Sequence, residues 1–152
     1  KIALYGISMG GATVMMTAGE ELPSNVCAAI EDCGYTSVWD EFEEQLKRKF
    51  RLPSFPLLNI ASYICDKQGG YDFKEASAQK QVARCDIPMM FIHGDADDFV
   101  PFEMLDKVYE SASCEKQKLV IEGAGHAMSS SVAPELYWSE VEKFLDRHMN
   151  GQ

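Results

Sequence analysis

The stretch Gly6-Ile7-Ser8-Met9-Gly10 constrains this chain more than any other. It reads G-x-S-x-G, follows the apolar run Ile2-Ala3-Leu4-Tyr5 and opens a segment of helical character over 11–21. A strand that turns abruptly into a helix at a serine is a nucleophile elbow, in which strained backbone carries the hydroxyl at the tip of the turn. Glycine is expected at 6 and 10 because a Cβ at either position would crowd the turn or the approaching helix. The plainer alternative is a glycine-rich turn with an incidental serine, and the rest of the chain decides between them.

Downstream of the elbow the apolar pattern alternates between strand and helix. The helix after Ser8 carries Gly10, Gly11 and Ala12, small residues suited to close packing on a sheet, and stops near Leu22-Pro23. Val26-Cys27-Ala28-Ala29-Ile30 is a continuous apolar run, as expected of a buried parallel strand, followed by a loop over 31–35. Residues 36–84 break the alternation and read as a helical, cap-like insertion, whose apolar face suits either core packing or a lid over a site. Ser37 with Asp40 resembles a capping box, and Trp39, Phe42, Leu46 and Phe50 share one helical face. Glu43 with Lys47 and Glu44 with Arg48 are favourable i,i+4 pairs. A second helix is expected over 57–64, a turn over 68–70 and a short polar helix over 73–82. Strands follow at 87–92 and 118–122, a helical face at Leu105, Val108, Tyr109 and Ala112, and a last helix from Pro134. Ser129, Ser130 and Ser131 read as a loop before that helix. The order describes one α/β domain over 1–152, with a parallel sheet of about four strands and helices on both faces.

Composition narrows the partners. With 46% hydrophobic residues in 152, the chain can bury a core. A net charge of -10 repels phosphate backbones, so neither nucleic acid nor an anionic membrane is an expected partner. No apolar run is long enough to span a bilayer. The five cysteines, 27, 33, 65, 85 and 114, form no C-x-x-C pair, so they read as reduced thiols in a cytoplasmic protein, with no metal site. The chain opens on a lysine inside a strand-like run, with no signal peptide, and reads as part of a longer protein.

In a parallel α/β sheet, sites gather at the carboxyl ends of the strands. Ser8, Asp97 and His126 each follow such an end. A serine hydroxyl needs a base, an imidazole takes and returns the proton, and a carboxylate fixes the imidazole tautomer. Asp95 and Asp98 compete with Asp97 for the acid role. His93 ends a strand and reads as a structural core histidine; His148 reads as surface or packing.

The stretches Gly6-Ile7-Ser8-Met9-Gly10-Gly11, His93-Gly94-Asp95-Ala96-Asp97-Asp98-Phe99-Val100-Pro101 and Gly125-His126 resemble the three signature segments of the α/β-hydrolase superfamily. They are most similar to bacterial serine hydrolases related to prolyl-oligopeptidase-like and acyl-aminoacyl-peptidase-like enzymes. The resemblance implies hydrolysis of an ester, thioester or amide of a small acyl substrate, with Ser8 as nucleophile, His126 as base, Asp97 as acid and no cofactor. It also implies that the Met9 N–H is one oxyanion donor. In that family several strands precede the serine and supply the second donor, and the chain resembles only the carboxyl-terminal part. Two rivals remain at this point. One is a haloperoxidase or transferase on the same fold, and the other is an inactive fragment or interaction module that retains the three residues. An open edge at the first strand, with an uncovered apolar face, also predicts association as a homodimer.

Overall fold

The computed structural model describes residues 1–150. Four strands form one wholly parallel sheet in the order β1-β2-β3-β4. They are β1 (Ile2–Ile7), β2 (Val26–Asp32), β3 (Met89–Gly94) and β4 (Lys116–Ile121). The helices are α1 (Met9–Ala18), α2 (Val38–Gln45), α3 (Leu57–Gly69), α4 (Ala78–Val82), α5 (Glu103–Ser111), α6 (Ser129–Val132) and α7 (Pro134–Leu145). Among the described residues, no helix is long and apolar enough to cross a membrane.

The sheet has a core on each face, and strand alternation builds both. Met89 and Phe91 of β3 point to one side with Ala29 of β2, where they meet Val14, Met15 and Ala18 of α1, Val82 of α4 and Leu105 and Val108 of α5. Met90 and Ile92 point to the other side with Ala28 and Ile30, against Tyr137, Val141 and Phe144 of α7. A strand buried on both faces needs an unbroken apolar run, which is why 87–92 and 26–30 lack a polar beat.

Several boundaries differ from the sequence reading, each for a local reason. Strand β2 runs on through Glu31 and Asp32, residues that read as loop; both pair in register with β1, Glu31 with Gly6 and Asp32 with Ile7. Helix α3 extends to Gly69, where Gly70 ends it at φ 77°. The helix expected over 73–82 begins only at Ala78. Asp72 Oδ1 accepts from the N–H groups of Lys74 and Glu75 at 2.6 and 2.9 Å, a side-chain turn that competes with helix. The Ser129-Ser130-Ser131 loop is instead the short helix α6. Ser37 caps α2 by accepting from Asp40 N–H at 3.0 Å, but the Asp40 carboxylate turns to the Thr36 hydroxyl, so only half of a capping box forms. Of the two i,i+4 pairs, the Glu44–Arg48 ion pair is made, joining α2 to the turn that follows it.

The elbow glycines divide differently from expectation. A Cβ on Gly6 would lie 2.1 Å from the Gly10 carbonyl oxygen, whereas one on Gly10 would meet nothing within 4 Å. The steric demand at the helix side falls on Gly11, whose Cβ would lie 3.1 Å from the Asp32 carbonyl. We therefore expect Gly6→Ala to cost about 3 kcal/mol or more in stability. Gly10→Ala, inside α1, should be neutral or stabilise by up to about 1 kcal/mol. Urea unfolding midpoints of the two variants check this.

Candidate active site

The elbow places Ser8 between β1 and α1 at φ 56° and ψ -118°, a backbone conformation that L-residues rarely hold. The turn is fixed from below, because Ser8 N–H donates to the Asp32 carbonyl at 2.8 Å and Ala12 N–H returns to the Ser8 carbonyl at 3.0 Å. Asp97 follows β3 and His126 follows β4. Gly94 lets those two loops approach, since a Cβ there would lie 2.1 Å from the Ala124 carbonyl oxygen. Asp95 ties the same loops together: its Oδ1 accepts from Gly123 N–H at 2.6 Å. That bond occupies Asp95 away from His126, and Asp98 is exposed.

These placements bring the three expected side chains into one relay. Ser8 Oγ lies 2.8 Å from His126 Nε2, and His126 Nδ1 lies 2.8 Å from Asp97 Oδ2. Asp97 is buried, and its Oδ1 accepts from the N–H groups of Phe99 and Val100, each at 2.9 Å. Burial alone would push its carboxyl pKa up. The hydrogen bonds from His93, His126 and Phe99 N–H outweigh burial and hold it below the usual carboxylate range. The arrangement therefore keeps a carboxylate behind an imidazole and a serine hydroxyl in front of it.

Beside Ser8 opens a cavity of about 550 Å³, lined by Met9, Tyr35, Val38, Phe42, Tyr71, Phe73 and Phe99, with Glu41 and Gln45 as its polar members. Phe42 and Phe73 meet edge-to-face at 5.0 Å. Phe42 and Phe73 also line an apolar hollow of about 300 Å³ together with Leu46, Phe50, Leu57, Leu58 and Ala61. The apolar residues expected to share one helical face are divided between α2 and the turn over 46–50; Phe42, Leu46 and Phe50 line these cavities, and the buried residue of α2 is an acid, Glu41.

The whole chain, residues 1–152, matches the prolyl oligopeptidase family. The chain belongs to that family. Among its relatives is YqkD of Bacillus subtilis, an uncharacterized protein, 32% identical over 145 residues that make up 95% of this chain and 48% of YqkD. The uncharacterized protein YfhR of Escherichia coli is 23% identical over 97% of this chain and 41% of its own. The chain spans less than half the length of both. The fold matches solved α/β-hydrolases. The Pyrococcus furiosus esterase Pf2001 superposes with a TM-score of 0.71 at 22% identity, covering 98% of this chain and 54% of the esterase. Pyrococcus horikoshii acylaminoacyl peptidase superposes with a TM-score of 0.74 at 16% identity, covering 97% and 24%.

In this prolyl oligopeptidase family member the site holds residues that sequence patterns did not mark. His93 is fully buried as expected, yet its Nε2 reaches both the Val100 carbonyl at 3.0 Å and Asp97 Oδ2 at 3.2 Å, so it supports the acid as well as the core. Cys33, read as part of a loop, sits at φ 47° directly after β2. Its sulfur, an Asp97 carboxylate oxygen and a His126 ring nitrogen lie within 4.8 Å of one another. This is a donor set a metal could use, but both His126 nitrogens already face Ser8 and Asp97, which suits proton transfer. Burial and the nearby Asp32 charge push the Cys33 thiol up to about 12, so it stays protonated beside the serine. Asp32 itself accepts from Ser129 Oγ at 3.1 Å and Tyr137 OH at 3.0 Å, which anchors α6 and α7 under the elbow. No local pattern pointed to this packing, because the partners lie about a hundred residues away.

Proposed function

We propose that this chain carries the acyl-transfer machinery of a serine hydrolase that cleaves an ester, thioester or amide through a Ser8–His126–Asp97 triad. The 2.8 Å contact between Ser8 Oγ and His126 Nε2 carries the reading, because it joins a strained serine to a base already oriented by a buried carboxylate. His126 Nε2 takes the Ser8 proton as Oγ attacks the acyl carbon. The tetrahedral oxyanion forms beside the first turn of α1, where the Met9 N–H donates to it. Collapse expels the leaving group, which receives the proton from His126, and leaves an acyl-serine. Water, deprotonated by His126, then attacks the acyl carbon; the acyl–Oγ bond breaks, Ser8 Oγ takes the proton back from His126, and the acid is released. Asp97 orients the ring and stabilises the imidazolium in both halves.

The aromatic walls of the 550 Å³ cavity suit an apolar acyl group. Burial pushes the Glu41 carboxyl up, aided by the charges of Asp97 and Glu44 and opposed by its bond from Gln45 and the proximity of His126. A series of p-nitrophenyl esters, assayed with the natural full-length protein, tests the reading. We expect kcat/KM to rise from acetyl to medium-length acyl groups. Turnover of amine-acceptor or halide substrates without ester hydrolysis would instead favour another chemistry on this fold.

A further inference from the structure

The turn that carries Asp97, between β3 and α5, is held from outside as well as inside. Three side chains from α2 and the π-helical turn after it (Leu46–Phe50) close on it. Gln45 Nε2 donates to the Phe99 carbonyl at 2.9 Å, Arg48 Nη1 donates to the Asp98 carbonyl at 3.0 Å, and Lys49 Nζ stands 4.3 Å from the centre of the Phe99 ring. Phe99 joins this clamp to the chemistry. Its N–H donates to Asp97 Oδ1, and its ring lies against the His126 imidazole at 4.8 Å.

Gln45 is itself fixed. Its Nε2 also donates to Glu41 Oε1 at 2.8 Å, one turn back on the same helix. An amide nitrogen carries two hydrogens, and here two acceptors take them, which also sets the amide's orientation. A backbone carbonyl, a backbone N–H and a ring of one residue thus face Gln45, Asp97 and His126 respectively.

We propose that Gln45 is a positioning residue: by pinning the Phe99 carbonyl it fixes the turn that aims Asp97 and the ring that covers His126, so the cap helix is part of the relay's alignment. The inference rests on the serine hydrolase reading, but its test separates from it. The bland alternative is that Gln45 merely lines the cavity wall. A wall residue alters how substrate is held and moves KM; a positioning residue alters the alignment of reacting groups and moves kcat.

The decisive variant is Gln45→Met, which fills similar volume without donors, made in the natural full-length protein. With p-nitrophenyl acetate we expect kcat to fall about 10–100-fold with KM changed by less than about threefold. The downfield proton resonance of the His126–Asp97 hydrogen bond should shift or broaden at the same time. Arg48→Met touches the same turn from a more exposed position and should lower kcat about threefold, which keeps the test open if Gln45→Met folds poorly. Wild-type kcat and an unmoved resonance in both variants, or a change in KM alone, would overturn the proposal. The resonance reads the relay without turnover. A wild-type protein with that resonance but no fluorophosphonate adduct at Ser8 would refute the hydrolase reading while leaving the positioning role to be judged on the resonance.

Discussion

Ser8→Ala should lower kcat for an activated ester about 10⁶-fold and abolish labelling by a fluorophosphonate probe. The size follows from geometry: removing Oγ leaves His126 Nε2 with no proton to accept, and the remaining elements stabilise an oxyanion that nothing generates. The fold should survive, because alanine and serine bear the same backbone strain at φ 56°. Equal melting temperatures by circular dichroism, measured beside the labelling, check that condition. Labelling that persists in Ser8→Ala would place the nucleophile elsewhere. The nearest thiol, Cys33, is only 1% exposed and is kept protonated, so it offers no ready substitute.

Asp97→Asn is expected to lower kcat about 10⁴-fold. The asparagine can still accept from Phe99 and Val100 N–H through its oxygen, so the turn keeps its shape. Its NH2 group then faces His126 Nδ1 and favours the tautomer with the proton on Nε2, which points a donor at Ser8 where an acceptor is needed. Steady-state rates with one ester at several pH values measure this. The stability consequence has a definite sign. The Asp97 pKa is held below its ordinary value, so its contribution is present above the usual carboxylate range and lost as pH falls through the lower folded value. Mild acidity should therefore leave this anchor intact, and Asp97→Asn should flatten the loss of stability at strongly acidic pH.

The pieces of the fold that were legible are those whose reason lies within a few residues. The elbow, the buried run of β3 and the loop stretch ending at Val100-Pro101 each carry their signal locally, and the strand-end rule then places Ser8, Asp97 and His126 together. Other features depend on partners far along the chain. Gln45 reaches Phe99 across 54 positions, and Tyr137 reaches Asp32 across 105. Nothing in the helical pattern of α2 distinguishes Glu41, buried at the cavity, from the half-buried acids beside it. Gly10 and Gly11 look alike in sequence, and only the approach of the Asp32 carbonyl tells which one is needed. The reading of 36–84 as one insertion was blurred for a similar reason: α4, which lies within that range, contributes Ala78 and Val82 to the main core.

The left-handed backbone at Ser8 has an implication for how such chains age. An L-residue there lowers the stability of the folded state, and glycine relieves that cost, so Ser8→Gly removes the proposed nucleophile and a strain together. On the hydrolase reading we propose, selection for chemistry would keep a side chain at the tip of the elbow. On that reading, a descendant released from that selection gains stability by losing the whole side chain, so glycine at this position, rather than alanine, would mark a lineage that keeps the scaffold without the chemistry.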